Sequence, residues 1–295
     1  MKNIPKIKVK KDINKEIDLF LKFLHHPYYP QSRVKIFQSF SELKSLLKNQ
    51  ESEKEKVVIQ QFIKDFYKIH NKKIERNIND SKKILKEKSH KALKELSKLM
   101  DYQWPKNHSN YTAMPTILPF SPFDNNTFYF SILGQIKEKK SNNVLFIACH
   151  EISHFIFFDV LKKVKQKINK SLPNDLRNYF KEALTAVLLN RKPLCDILNL
   201  HNYKGNPEIR DIQIKKPNNT IISFNEFINE QYETIKIKNK KPFERFLKEI
   251  LIILLPINKE FSKKRAIWNK YGNQLSKKAT ILRRYQIPIN QIKKR

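Results

Sequence analysis

The sequence predicts an α+β fold that is predominantly helical and contains one small sheet. Three observations point there. Apolar residues recur at helical spacing from residue 12 to residue 100, with no strand alternation. One dense run of β-formers, Thr127–Leu133 (TFYFSIL), stands mid-chain. A long apolar stretch, Val144–Leu161, follows it without a Gly or Pro.

Taken in order, Ile17, Leu19, Phe20, Leu21, Phe23 and Leu24 form a first helical segment, which Pro27 and Pro30 break. Val34, Ile36, Phe37, Phe40, Leu43, Leu46 and Leu47 continue the helical period, and so do Val57, Val58, Phe62, Phe66 and Ile69. Ile84, Leu85, Leu93, Leu96 and Leu99 repeat it between lysines, so residues 1–102 read as a helical N-terminal region. Four prolines within 103–126 imply irregular or extended chain, and Asp124-Asn125-Asn126 is a turn signal. Leu176–Asn190 reads as a helix with Asn174 or Asp175 as N-cap and Pro193 just past its end. Short strands are expected at Ile209–Ile214 and Thr220–Phe224, and a helix at Phe243–Leu255. These bounds suggest a second domain over 103–257 and a basic C-terminal tail over 258–295.

Composition excludes several classes. Apolar residues make up 40% of the 295-residue chain, so a core is available and a collagen-like or wholly disordered chain is ruled out. Glycine occurs only at Gly134, Gly205 and Gly272, which excludes the glycine-rich turns of Rossmann and P-loop sites. Cys149 and Cys195 are too few for a disulfide scaffold, so a reduced, cytoplasmic setting is expected. Met1–Lys11 is basic but leads into Asp12, Glu16 and Asp18, unlike a secretory signal. The apolar run Ile250–Ile257 contains Pro256 and falls well short of the roughly 20 residues that span a bilayer, so no membrane span is expected. The net charge of +32 has two explanations: an anionic partner, or a lysine-rich codon bias.

Residues 150–154 read His-Glu-Ile-Ser-His, the pattern HExxH. On a helix, residues four apart differ by about 40° of azimuth, so His150 and His154 project from one side and can grip one metal ion. Neutral imidazole nitrogens suit Zn²⁺, and Glu151 is placed to act as general base toward a metal-activated water. Three ionisable groups within such an apolar stretch are costly unless a metal and partners compensate them. A catalytic zinc needs a third protein ligand. Phe157 and Val160 stand where a metzincin would have Gly and His, and Asp159 lies on the opposite side of the helix. Glu182, on the next helix among Phe180, Ala183, Leu184 and Val187, is the stronger third ligand, with His201 as its rival. The competing reading makes Glu182 a surface residue paired with Lys181 or Arg191.

On these residues the chain resembles zincin metallopeptidases of the gluzincin type, over about residues 126–190. The resemblance implies zinc held by His150, His154 and Glu182, with Glu151 as the base. It also implies a peptide or protein substrate, and a zincin-like domain whose small sheet lies next to the HExxH helix. Thr127–Leu133 would be the sheet's edge strand, able to pair with a substrate backbone. Glu182–Leu189 also resembles the small metallopeptidases that cleave phage-type repressors. The sequence departs from the thermolysin-like form at Lys181 and Ala186, where that form has Asn and Asp, so the carboxylate that orients a ligand imidazole is not identified.

Peptide hydrolysis also needs a donor for the developing oxyanion. His201 and Tyr203, near Gly205-Asn206-Pro207, are the first choices, with Arg210, Tyr179 and Tyr232 as alternatives. Cys149 points about 100° from His150, poor geometry for a nucleophilic pair, and reads as a small buried hydrophobe. The tail carries Lys263-Lys264-Arg265, Lys277-Lys278, Arg283-Arg284 and Lys293-Lys294-Arg295 with interleaved aromatics. It supports the other expectation, weak nucleic-acid binding by a basic protein whose metal site does no catalysis.

Overall fold

The computed structural model describes residues 3–48, 52–106, 110–138, 141–168, 172–272, 274 and 284–289. The fold is mixed α/β and predominantly helical, with two small sheets among the described residues. Contacts divide the chain into two units, Met1–Lys91 with Trp104–Glu151 and Ala92–Gln103 with Ile152–Arg295.

In the first unit, β1 (Lys6–Val9) leads into α1 (Ile13–Leu24), α2 (Gln31–Ser39), α3 (Ser41–Leu46), α4 (Ser52–Ile69) and α5 (Asn71–Leu99). Then come β2 (Asn110–Thr116), β3 (Phe123–Asp124), β4 (Thr127–Ser131), α6 (Leu133–Lys137) and α7 (Val144–Ile168); α5 from Ala92 and α7 from Ile152 belong to the second unit. Asp12 starts α1 by accepting the Lys15 N–H at 3.1 Å. Phe40, fully buried between α2 and α3, gathers Phe20, Phe62 and Phe66 around it at centroid distances of 6.0, 5.3 and 5.8 Å.

The sheet has the order β1-β2-β4-β3, parallel except for β3. Tyr111, Ala113, Phe128 and Phe130 are all buried, as inner strands of a parallel sheet should be. Pro115 pairs with Phe130 beyond the last residue of β2 that faces β1, so its missing N–H removes no rung there. The structure corrects the expectation of an open edge at Thr127–Leu133. β4 is an inner strand, because the Asp124-Asn125 turn (Asn125 φ 49°) folds β3 back against it. Tyr129 N–H donates to Pro122 O at 2.8 Å and Ser131 N–H to Ser121 Oγ at 3.1 Å, which covers the remaining edge. Residues 133–137 form α6 rather than prolonging the strand.

In the second unit, α8 (Asn174–Leu189), α9 (Leu194–Leu198) and α10 (Pro207–Arg210) precede β5 (Ile212–Lys215) and β6 (Ile221–Ser223). α11 (Phe224–Tyr232) begins at a Ser223–Glu226 capping box and runs on as a π-helical segment to Lys238. α12 (Phe243–Leu254), α13 (Asn258–Tyr271) and β7 (Tyr285–Pro288) complete it. The second sheet is β6-β5-β7. A run of aromatic contacts forms the core: Phe157 to Phe180 at 5.6 Å, Phe180 to Phe246 at 6.4 Å, and Tyr232 to Phe246 at 5.4 Å.

α8 begins after Pro173 with no side-chain cap, and Asp175 instead accepts from Ser262 Oγ at 2.7 Å. The first residues expected in the basic tail form α13, where Phe261 and Lys264 are fully buried. Lys277, Lys278, Arg283 and Lys293-Lys294-Arg295 lie outside the described residues. Of the described helices, α7 alone is long and apolar enough to cross a membrane, and 72% of its apolar window is buried in the protein. That burial accounts for the breadth of its apolar surface.

Glu16 is the unusual residue of the first unit. It sits in the first turn of α1 but points inward, accepting from the Thr116 hydroxyl at 2.9 Å and the Ile117 N–H at 2.8 Å. Burial pushes its carboxyl from the ordinary 4.5 up to about 7, against the pull of those two hydrogen bonds. A raised acid pKa means the folded state holds the proton longer than the unfolded state. The associated stability is therefore full below pH 4.5 and lost as pH rises to about 7, on the order of 3 kcal/mol. Glu16→Gln keeps an acceptor without the charge. It should exceed wild type by about 1–3 kcal/mol at pH 8, the gap shrinking toward pH 4.5, as read by urea unfolding.

Candidate metal centre

The site stands on two consecutive helices. α7 supplies His150, Glu151 and His154, and α8 supplies Glu182. One turn of α7 separates the two histidines, so helix geometry alone sets their relation. One ligand atom each from His150, His154 and Glu182 lie within 4.8 Å of one another. His154 Nε2 is 3.6 Å from Glu182 Oε1. His150 Nε2 is 3.9 Å from Oε1 of Glu151, whose side chain is buried. His201 is outside this group.

A tetrahedral zinc ion with bonds of about 2.0–2.2 Å needs ligand atoms roughly 3.3–3.6 Å apart. The His154–Glu182 separation meets that, and the three ligand atoms all lie within 4.8 Å of one another. Two imidazole nitrogens and one carboxylate oxygen are also a donor set that zinc accepts while keeping a position for water or substrate. The residues present fit a zinc ion.

Small and apolar residues flank the site residues along both helices. Ala148, Cys149, Ile152, Ala183, Leu184 and Ala186 are all buried. Burial pushes the Cys149 thiol up to about 12, so the thiolate that nucleophilic chemistry needs is suppressed. Ser153 and Thr185 join α7 to α8 through a buried hydroxyl pair at 2.6 Å. Asp159 faces elsewhere, as its helical position implies, and accepts the Tyr102 hydroxyl at 2.5 Å.

Lys181 departs from the expected pattern. It is only 6% exposed, so its pairing with Glu182 is not the surface pairing of the competing reading. Its Nζ pairs closely with Glu182 Oε1 and lies 3.4 Å from His154 Nδ1. Glu182 therefore meets both the lysine and the histidine. Arg191, the other partner considered for Glu182, pairs with Glu233 and donates to Asn229 Oδ1 at 2.5 Å.

Beneath α8 lies a second polar layer. The Tyr179 hydroxyl donates to Glu208 Oε1, and Arg265 Nη1 donates to Glu208 Oε2 at 2.8 Å. Arg265 also stacks over the Tyr179 ring at 4.9 Å and lies 3.6 Å from Asp175. Burial pushes the Glu208 carboxyl up, Arg265 and the Tyr179 hydrogen bond oppose that, and the Glu182 charge adds to it.

Of the residues expected to donate to an oxyanion, Tyr179 is committed to Glu208, and the Tyr232 hydroxyl donates to Leu99 O at 2.7 Å. Arg210 and His201 are exposed, and Tyr203 is half-buried. The loop 199–206 bearing His201 and Tyr203 is tied to α8. Asn190 accepts the Tyr203 N–H at 2.8 Å and donates to its carbonyl at 2.7 Å. Gly205 has φ +71°, and a Cβ there would meet Ala186 Cβ at 3.3 Å. Ala186, one turn past Glu182, is thus small because the loop crosses it.

The sequence reading did not anticipate the Ser153–Thr185 pair or the burial of Lys181. Both had a signal: polar side chains inside apolar runs of successive helices. The Glu208–Arg265 pair joins elements 57 residues apart and left no local signal.

No protein-family model, no curated protein and no solved structure matches the chain. The class that the motif and its geometry suggest therefore rests on the residues themselves.

The Ser153–Thr185 pair yields a stability test. A double-mutant cycle of Ser153→Ala and Thr185→Val, followed by thermal unfolding, should give a coupling of about 1 kcal/mol.

Proposed function

We propose that this chain is a zinc-dependent metallopeptidase of the gluzincin type that hydrolyses peptide bonds, acting in the cytoplasm. The convergence of His150, His154 and Glu182 within 4.8 Å, beside Glu151 on the same helix, carries the reading. His150 and His154 would each give an imidazole nitrogen, and Glu182 a carboxylate oxygen. The chemistry that a bound zinc ion supplies in such a site is Lewis acidity toward a water molecule and a substrate carbonyl.

The chain's own residues supply the rest. Glu151, buried beside His150, is the general base: it takes the proton from the attacking water and returns it to the leaving amine. Glu151 and His154 are buried, and burial strengthens the charge interactions they make. His201 and Tyr203 are the proposed donors to the developing oxyanion. The support for them is the loop's attachment to α8 at Asn190 and Ala186. With β4 enclosed by β2 and β3, no role is assigned to that strand in holding an extended peptide.

Metal content of purified wild type, Glu151→Gln and Glu182→Ala tests the reading. About one zinc per chain is expected in the first two and a loss in the third. Glu151→Gln should lower turnover of a peptide library by about 100-fold or more. No zinc in any of the three after reconstitution removes the reading.

A further inference from the structure

The group of three prospective ligands already has a cation beside it, supplied by the protein. Lys181 Nζ pairs with Glu182 Oε1 and sits 3.4 Å from His154 Nδ1, so one ammonium bridges two of the three. Lys181 is buried, and its place one residue before Glu182 on α8 holds it there.

The chemistry of this contact is specific. With Lys181 charged, its ammonium only donates, and His154 Nδ1 then accepts with the imidazole proton on Nε2. Nε2 is the atom 3.6 Å from Glu182 Oε1. His154 then turns an N–H toward Glu182, not a lone pair. Ligation through Nε2 requires the other tautomer, with the proton on Nδ1, where it would face the N–H groups of Lys181. The contact of a charged Lys181 with the His154 Nδ1 lone pair and metal ligation by Nε2 therefore exclude each other. A dication at the group would also repel the ammonium across a short distance. Lysine has a flexible four-carbon stem, so it can leave without moving α8.

The geometry points to Lys181 as a tethered cation that competes with the metal for Glu182 and His154. It is a positioning residue: it keeps two ligands together and lowers the affinity of the site for zinc, so that only an ion bound strongly enough to displace it occupies the site. The inference rests on the reading of His150, His154 and Glu182 as ligands.

The test is calorimetric titration of the full chain with Zn²⁺ after chelator treatment, for wild type, Lys181→Met, Lys181→Arg and His150→Ala. Lys181→Met should bind zinc about tenfold more tightly than wild type, and Lys181→Arg should not gain. Thermal unfolding supplies a second readout. Chelated Lys181→Met should melt below chelated wild type, and saturating zinc should raise its melting temperature by more. A merely structural lysine would lower stability without tightening zinc. If Lys181→Met does not fold, Lys181→Gln, neutral and polar, gives the same comparison. Folded variants that bind zinc no more tightly than a zinc-binding wild type overturn the competition alone. Wild type and Lys181→Met both failing to bind zinc, like His150→Ala, overturns the metal-ligand reading beneath it.

Discussion

Burial of charge is the constraint on which the rest of the site depends. His150, Glu151 and His154 sit in the largely apolar first half of α7, and Lys181 and Glu182 on another helix whose remaining residues are mostly buried. An isolated charge in such surroundings is expensive, and a charge with partners becomes tolerable. Each ionisable group here is accordingly close to another: His154 to Glu182, Glu182 to Lys181, Lys181 to His154, His150 to Glu151.

The same constraint shapes what lies under α8. Tyr179 and Glu182 are three residues apart and share a side of the helix, yet Tyr179 is satisfied from below by Glu208, which in turn holds Arg265. Arg265 comes from a stretch whose composition suggests a basic tail. Its guanidinium is used internally, offering planar donors to Glu208 and lying over an aromatic face. Net charge alone therefore overstates how much positive surface this stretch presents. Small residues complete the arrangement: Ala186 admits the loop crossing at Gly205, and that loop carries His201 and Tyr203.

Periodicity served well where elements were long and local. The helices at 13–24, 144–168, 174–189 and 243–254 follow from apolar spacing, and the Asp124-Asn125 turn from its residue types. It failed at β1 and β2. Lys6–Val9 is only four residues, and Asn110–Thr116 contains a proline; both are strands because they have each other and β4 to pair with. The inner position of β4 was equally invisible, since it depends on β3 returning across a turn. The strand expected at Ile209–Ile214 begins only at Ile212, because Pro207–Arg210 is helical: Asn206 caps it by accepting the Glu208 N–H at 3.0 Å and Pro207 sets its first turn.

The sequence by itself determined the two histidines and the glutamate of α7. Four residues of helix put both imidazoles on one side whatever surrounds them. It also picked out Glu182, a carboxylate in an apolar run on the next helix. Only the tertiary structure decided that Glu182 reaches His154, that Lys181 is buried in contact with both, and that Thr185 meets Ser153. The physical reason is range: helical periodicity fixes directions within a single element, whereas the partner of a buried charge is chosen by how separate elements pack.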